Sequence, residues 1–228
     1  MPNWACTNYI ATGDMDELQE FARTLNTMPN LLEGNPFSFG RYWMGNLVAV
    51  LLGLTEDEIM NNTSGLHYRG TFDPDFGAQA CFFGPSVDQE KEFQVDPDGK
   101  MRFSTVSAWD HSEDVENLIV EKFPGIRLAW SCTDEFGNFH VTHNPEGFPE
   151  LDIIAFNGWQ YALDDIGGLK NDLRSNCPGL EVPEEADAEY LLSKEFSQKY
   201  EEWRENYKKE LKDDEDDYIP CFEVYGEE

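Results

Sequence analysis

The order of hydrophobic periods along the chain constrains the fold more than any other feature of the sequence. Residues 3–12 are rich in strand formers and end at a turn where Asp14 is placed to cap a helix, with Glu17 completing a capping box. Apolar side chains then recur every three or four positions as far as Pro29. These are Leu18, Phe21, Ala22, Leu25 and Met28. Such a stripe must cover a sheet or another helix.

A hairpin is predicted between residues 92 and 108. Glu92–Val95 and Met101–Ala108 have strand composition, and the turn Asp96-Pro97-Asp98-Gly99 lies between them. Proline presets φ and glycine tolerates positive φ, so this segment favours a tight reversal of the chain.

A second strand and helix pattern follows the hairpin. Ser112 is predicted to cap a helix that ends at Pro124-Gly125. Apolar and polar residues alternate from Ile126 to Thr133, which is the period of a strand with one buried face. A further strand is expected to run through His143.

These patterns together predict an α+β protein. The order strand, helix, insertion, strand, strand, helix, strand is that of a ferredoxin-like split βαβ antiparallel sheet. We expect a single α+β domain over residues 1–228, with residues 1–28 and 89–147 as its ferredoxin-like core.

Residues 30–88 are predicted to be a helical insertion after the first helix. Phe39–Leu54 is apolar on nearly every side, as in a helix that is buried on more than one face. Thr55 and Glu58 form a second capping box for a short helix, and a strand is predicted near Ala80–Phe83. We expect this insertion to fold onto the core, because alone it would expose too much apolar surface.

The acidic C-terminal segment, residues 181–228, is predicted to hold a long helix and a strand. One face of the helix is apolar or aromatic, and we expect it to pack on the chain's own body. Its members are Leu192, Phe196, Tyr200, Trp203, Tyr207 and Leu211. An acidic run, Asp213–Asp217, ends the helix, and Tyr218–Tyr225 has the composition of an edge strand.

The charge of the chain excludes several classes of ligand. There are 46 acidic and 16 basic residues, a net charge of −30 and a pI near 4.2. Such a surface repels phosphates, so we expect neither direct nucleic-acid binding nor attachment to an anionic membrane. Five widely spaced cysteines without a CxxC motif, and an opening without a signal-peptide pattern, predict a cytoplasmic protein with reduced, buried thiols.

Three sets of short motifs point to a known family. The chain opens with Met1-Pro2-Asn3-Trp4, followed by Cys6-Thr7-Asn8 and Thr12-Gly13. An aromatic strand over Phe103–Trp109 precedes Phe123-Pro124, and Asp134–Phe139 is an acidic glycine turn flanked by aromatic residues. In these motifs the chain resembles the YubB-like family of uncharacterised plasmid, phage and bacterial proteins.

The resemblance implies a ferredoxin-like fold and an association with mobile elements. It covers residues 1–28 and 89–147, and it assigns no catalytic residues. The chain differs from the family's pattern where Ala5 separates Trp4 from Cys6, and where Asp110-His111 replaces the more usual Ser-Pro.

No catalytic, cofactor-binding or metal-binding residue is predicted. His140 and His143, with Asp134 and Glu135 nearby, suggest a metal site, but residues three apart on a strand point to opposite faces. His111 with Cys132 or Cys6 would form a Cys/His pair only if the fold brought them together, and capping by Asp110 or Ser112 is the simpler role for that segment. Phosphate-cradling and nucleophile motifs are absent from the sequence.

Two functional hypotheses remain open. The first is a non-catalytic acidic interaction protein that binds a basic protein partner, such as a DNA-binding protein for which its acids mimic DNA. Its candidate interaction face is Glu195, Glu201, Glu202, Glu205 and Glu210 on the long helix. The alternative is a small-molecule or peptide binding protein, an enzyme included, with an aromatic pocket between the sheet and the insertion. The aromatic residues in question are Phe37, Phe39, Tyr42, Trp43 and Tyr68, which otherwise pack in the core.

Overall fold

A computed structural model of the chain describes residues 3–33, 39–61, 68–77, 91–134, 140–151, 153–156, 159–162, 166–210, 220 and 222–225. The chain divides into two compact units, Met1–Glu146 and Gly147–Glu228, each with helices, strands and a hydrophobic core of its own. The predicted α+β class is confirmed. A single domain over residues 1–228 stays a prediction.

The first unit is built on one five-stranded antiparallel sheet. Its elements are β1 Trp4–Gly13, α1 Met15–Thr27, α2 Met44–Leu52, α3 Glu56–Met60, β2 Gly70–Asp73, β3 Met101–Ala108, α4 Glu113–Lys122, β4 Ile126–Asp134 and β5 His140–His143. The strand order is β2-β3-β1-β4-β5. The longest strand, β1, therefore lies at the centre of the sheet and pairs with β3 and β4.

The main core lies on one face of this sheet, under α1, α2 and α4. The side chains that alternate along the strands meet the helical stripes there, as the periods of the sequence predict. Phe21 of α1, for example, meets Phe103 of β3 edge to face, with the ring centroids 5.9 Å apart. Leu47 and Val48 of α2 belong to the same core. The described part of the 30–88 insertion is thus folded onto the sheet.

Residues of the insertion also contact the opposite face. Trp4, Cys6 and Val106 form a small buried cluster there, and Phe39 packs edge to face on Trp4 at 5.7 Å. The N–H of Gly77 donates to Asn8 Oδ1 and Ser104 Oγ, both at 3.1 Å. Because of these contacts, that face of the sheet is not left free.

In the hairpin predicted over residues 92–108, the first strand, Glu92–Val95, is wrong. Residues 91–96 form no strand, and the partner of β3 is β2 instead. Asn26 of α1 explains the difference, since its amide accepts from Phe93 N–H and donates to Phe93 C=O, both at 2.8 Å. A side chain satisfies the backbone that a strand partner would satisfy. The strand predicted near Ala80–Phe83 lies outside the described residues.

The junction between β1 and α1 is tied to the turn between α4 and β4. Asp14 caps α1 as predicted, accepting from the N–H groups of Asp16 and Glu17 at 3.0 Å. Glu17, however, accepts from Gly125 N–H at 2.8 Å, and Asp14 N–H donates to Gly125 C=O at 3.0 Å. A Cβ at Gly13, where φ is +128°, would lie 1.9 Å from the Gly125 oxygen, so this contact requires glycine.

The buried Asn46 of α2 organises the loop before that helix. Its side chain is fully buried and accepts from Leu31 N–H at 3.1 Å. It also donates to the carbonyls of Gly40 and Arg41, at 3.0 and 2.9 Å. The helix predicted within Phe39–Leu54 is therefore shorter than its apolar stretch, because the first residues form this loop. The capping box of Thr55 and Glu58 at α3 is confirmed.

The second unit packs helices on a three-stranded antiparallel sheet. Its elements are a short 3-10 turn Pro149–Leu151, β6 Ile153–Phe156, β7 Trp159–Ala162, α5 Ile166–Asn176, α6 Ala188–Leu192, α7 Lys194–Glu210 and β8 Phe222–Tyr225. The strand order is β7-β6-β8, so the predicted C-terminal edge strand is confirmed.

The long helix α7 packs on its own unit through part of the predicted stripe. The helix is interrupted at Ser193, whose hydroxyl accepts from Phe196 N–H at 3.2 Å. Leu192 therefore belongs to α6 and not to α7. Phe196 and Tyr200 are fully buried, and the Tyr200 hydroxyl donates to the Pro220 carbonyl at 2.5 Å. Trp203 and Tyr207 are half-buried, whereas Leu211 and the acidic run Asp213–Asp217 lie outside the described residues.

Candidate functional site

The acids of the candidate interaction face lie on α7, where neighbouring bases pair with them. Glu195, Glu201, Glu202 and Glu205 are exposed, and the side chain of Glu210 is outside the described set. Ion pairs join Glu195 to Lys199 at 2.8 Å, Glu201 to Arg204 at 3.5 Å and Glu205 to Lys208 at 3.1 Å. The helix carries five acids and five bases, so it has no net charge. This interaction face stays a prediction.

The aromatic residues of the predicted pocket are mostly part of the main core. Tyr42, Trp43 and Tyr68 are buried, and the Trp43 indole donates to the Tyr68 carbonyl at 2.7 Å. Phe39 lies against Trp4 on the other face of the sheet, and Phe37 is outside the described residues. These described side chains pack in the interior, which is the simpler of their two predicted roles.

A cleft of about 600 Å³ opens instead where β3 connects to α4. It is lined by Arg69, Ser107, Ala108, Trp109, Asp110, His111, Ser112, Glu113 and Asp114. The connection between a rigid strand and a helix supplies most of these residues, so the cleft is held by two regular elements.

The indole of Trp109 stands at this cleft on an unusual backbone. Its φ is +75°, and 54% of the residue is exposed. Trp109 N–H donates to the Asn3 carbonyl at 2.6 Å, and the Ser107 hydroxyl donates to the Asp110 carbonyl at 2.5 Å. A bulky residue with positive φ costs on the order of 1–3 kcal/mol and persists only where the surroundings enforce it. The fold therefore holds Trp109 in a strained backbone conformation while its aromatic ring is exposed.

Charged groups surround the exposed indole. Asp110 and Glu113 are exposed carboxylates of the lining, and Asp114 adds a third. The guanidinium of Arg69 lies over the Trp109 ring, 5.3 Å from its centroid. The cleft thus combines an aromatic face, an excess of carboxylates and one cation–π contact.

His111 lines the cleft and connects it to a buried network. Its Nδ1 lies 2.9 Å from Glu116 Oε1, and the hydroxyl of buried Tyr9 donates to the same oxygen. The imidazole also packs on the Trp130 ring, with the centroids 4.3 Å apart. The hydrogen bond to Glu116 raises the pKa of His111 although burial opposes it. Burial, and then the Glu116 charge, raise the pKa of Tyr9 well above its ordinary value.

Neither Cys132 nor Cys6 forms a reactive Cys/His pair with His111. Cys132 is fully buried on the helical face of the sheet, and burial raises the pKa of its thiol to about 12. At neutral pH it is therefore not a thiolate nucleophile. Cys6 lies in the cluster on the opposite face. The predicted side-chain cap at Ser112 is also wrong, because this hydroxyl contacts Met44 Sδ at 3.3 Å and makes no capping bond.

The two histidines of β5 pair with different positions of β4. The register places His140 opposite Thr133 and His143 opposite Trp130. Glu135 lies outside the described residues. In the parts of the chain that the structure describes, no group of three or more His, Cys, Asp or Glu side chains could hold a metal ion.

Known proteins give no direct guide to function. Comparisons of the chain with protein-family models, with curated proteins and with solved structures found no match. Among the described helices, none is both long and apolar enough to cross a membrane.

The sequence indicates part of the cleft but not its arrangement. The segment Trp109-Asp110-His111 is predicted to contribute a helix cap or, with Cys132 or Cys6, a Cys/His pair, and neither prediction places it at a cleft. A Trp-Asp-His sequence after a buried strand was the available signal. Arg69 reaches the cleft through the pairing of its backbone with Ala108, and Tyr9 reaches Glu116 through the packing of α4 on the sheet. The sequence reveals neither of these contacts.

Proposed function

We propose that this chain is a non-catalytic acidic interaction protein, and that a basic protein partner docks at the Trp109 cleft. The observation that carries the proposal is the exposed, backbone-strained indole beside the carboxylates of Asp110 and Glu113. A cationic side chain placed there gains attraction from the ring face and from both carboxylates.

The distribution of charge supports a basic partner. Each compact unit carries 23 acidic and 8 basic residues, which is a net charge of −15. A field of one sign over both units accelerates encounters with positively charged surfaces and repels phosphate groups. The cleft then supplies the fixed geometry that diffuse charge lacks. Direct ligands of nucleic-acid or anionic-membrane type are not part of this proposal.

We also propose a ferredoxin-like fold for the first unit and membership of the YubB-like family. The order β2-β3-β1-β4, with α1 and α4 over one face, supports a ferredoxin-like split βαβ arrangement to which β5 is added. The motif resemblance to the YubB-like family supports the same fold and an association with mobile elements.

Two double variants with equal charge change test the docking site. Asp110→Asn with Glu113→Gln removes two carboxylates at the cleft, and Glu201→Gln with Glu202→Gln removes two on α7. Binding of a fluorescein-labelled decapeptide of alternating arginine and glycine is followed by anisotropy at fixed ionic strength. We expect the cleft variant, and Trp109→Ala, to weaken binding by about tenfold, and the α7 variant by less than about twofold.

The comparison between the two variants decides the outcome. Equal losses of peptide affinity in the two double variants would mean that the negative charge attracts the peptide nonspecifically. That result would overturn the cleft as the docking site. A larger loss in the α7 variant would move the site to the predicted face of α7.

The buried network below the cleft favours one alternative, a small-molecule or peptide binding protein that can include an enzyme. A His and a Glu in hydrogen-bond contact, with His111 on the cleft wall, have the arrangement of a general acid and base. Its test is a thermal-shift screen of uncharged metabolites and peptides. A stabilising ligand whose effect is lost in His111→Gln, while arginine-peptide binding is retained, would support this alternative.

A further inference from the structure

Arg69 occupies the aromatic face of the Trp109 cleft in the free protein. Arg69 directly precedes β2. The Arg69 carbonyl accepts from Ala108 N–H at 2.9 Å, which fixes the backbone of Arg69 beside the end of β3. From that position the guanidinium reaches over the Trp109 ring, 5.3 Å from the centroid. Acidic side chains alone would not define a site, but a guanidinium that already lies over an exposed indole indicates which chemistry the site accepts.

We propose that the cleft recognises an arginine side chain of the partner, and that Arg69 is an internal occupant which this arginine replaces. The inference rests on the proposed function and names the chemistry of the partner. A guanidinium is planar and weakly hydrated, so it can stack flat on the indole while its edge donates to a carboxylate. A lysine ammonium is a compact, strongly hydrated charge that cannot do both. Asp110 and Glu113 on the cleft wall are the acceptors.

The contact with Arg69 is suited to exchange. Arg69 is exposed, and Trp109 remains more than half exposed beneath it. A cation–π contact between two exposed side chains is weak, because water competes for both of them. An arginine that also engages the carboxylates therefore displaces Arg69 at little cost. Removing Arg69 frees the ring and deletes one repelling charge, so it should strengthen arginine binding.

The binding specificity is tested with single amino-acid derivatives. N-acetylarginine amide, N-acetyllysine amide and N-acetylcitrulline amide are titrated into the full chain at constant ionic strength, and the indole N–H signals are followed by NMR. The chain has six tryptophans, and Trp109→Phe identifies the signal of interest. We expect saturable shifts of the Trp109 signal with arginine at millimolar concentrations, affinity for lysine at least about threefold lower, and no saturable shift with citrulline.

The role of Arg69 is tested by Arg69→Gln, with Arg23→Gln on α1 as a control of equal charge change. Arg69→Gln should tighten arginine binding by about threefold or more, whereas Arg23→Gln should change it by less than about twofold. Unchanged or weaker binding in Arg69→Gln overturns the internal-occupant inference, and equal binding of citrulline overturns arginine recognition. If the labelled peptide still requires Trp109 but lysine binds as well as arginine, this inference fails while the proposed function stands. Binding of basic ligands without any involvement of Trp109 overturns both.

Discussion

The carboxylate of Glu116 is shared by two titratable groups of opposite character. His111 contacts one of its oxygens from the cleft side, and the Tyr9 hydroxyl donates to that oxygen from the interior. Glu116 and His111 are only 12% and 17% exposed, so water screens the pair weakly. Asp110 and Glu113 add further negative charge around the imidazole. The protonated form of His111 is thus favoured in the folded chain.

Folding stability should follow this titration. Because the pKa of His111 is raised above its ordinary 6.5, the protonated imidazole contributes its full stabilisation below about pH 6.5. That contribution is lost as the pH rises through the raised value. We expect the difference in unfolding free energy between the native chain and His111→Gln to be larger at about pH 6 than at about pH 9 in urea titrations.

Glu116→Gln provides the matched control. It keeps the shape of the side chain but removes the charge, so the pKa of His111 measured by NMR should fall in this variant. A stability difference that does not change with pH would contradict the account of this pair.

At the level of single residues, the sequence predicts the caps at Asp14 and Thr55 correctly, the cap at Ser112 wrongly, and the cleft poorly. Asp14, Thr55 and Glu58 were predictable because a cap is a local interaction over three positions. Tyr9 and Glu116 are 107 positions apart, and only the packing of α4 on the sheet brings them together. The left-handed backbone of Trp109 gave no signal either, since propensity argues against it.

At the scale of elements, two asparagines hold segments that lack regular structure. Asn26 fixes residues near Phe93 against α1, and Asn46 holds the backbone of Leu31 and of Arg41 beside α2. Both side-chain amides make hydrogen bonds that a neighbouring backbone segment would otherwise make. The strand predicted at Glu92–Val95 failed for this reason, because strand composition does not exclude a side-chain partner. The alternation in β4 and the stripe of α1 succeeded because one buried face imposes a fixed period.

Asn46→Ala should be strongly destabilising. The change removes the side-chain hydrogen bonds that Asn46 makes with Leu31 N–H and with the carbonyl groups of Gly40 and Arg41. We expect the free energy of unfolding in urea to fall by on the order of 3 kcal/mol. The same substitution at exposed Asn61, whose side chain donates to the Asp57 carbonyl at the end of α3, should cost less than about 1 kcal/mol. Similar losses at both sites would mean that Asn46 does not organise the loop.

At the scale of the whole molecule, self-repulsion opposes compactness in both units. Each unit has 15 more acidic than basic residues, so an excess of negative charge remains whatever the local ion pairs contribute. Local pairs do exist, as where Arg102 meets Asp96 at 2.7 Å and Asp98 at 2.8 Å. Ion pairs that water can still reach contribute little individually. We therefore expect repulsion to be the larger electrostatic effect.

Added salt should stabilise this protein. Raising sodium chloride from about 20 mM to about 500 mM shortens the Debye length from roughly 20 Å to roughly 4 Å, which screens distant repulsion more than close pairs. We expect Tm, measured by circular dichroism, to rise by several degrees. A fall in Tm over the same range would show that ion pairs such as those of Arg102 outweigh repulsion.

The central position of β1 has a consequence for the time course of folding. Among the strands of its sheet β1 is synthesised first, and its neighbours β3 and β4 begin only at Met101 and Ile126. At synthesis rates of about 5–20 residues per second, the emerging chain waits roughly 5–25 s before its central strand is paired on both sides. During that interval the edges of β1 are open, and pairings of such long sequence separation form slowly even afterwards. Molecular chaperones that shield extended apolar segments should therefore have a longer contact with β1 than with the other strands of this sheet.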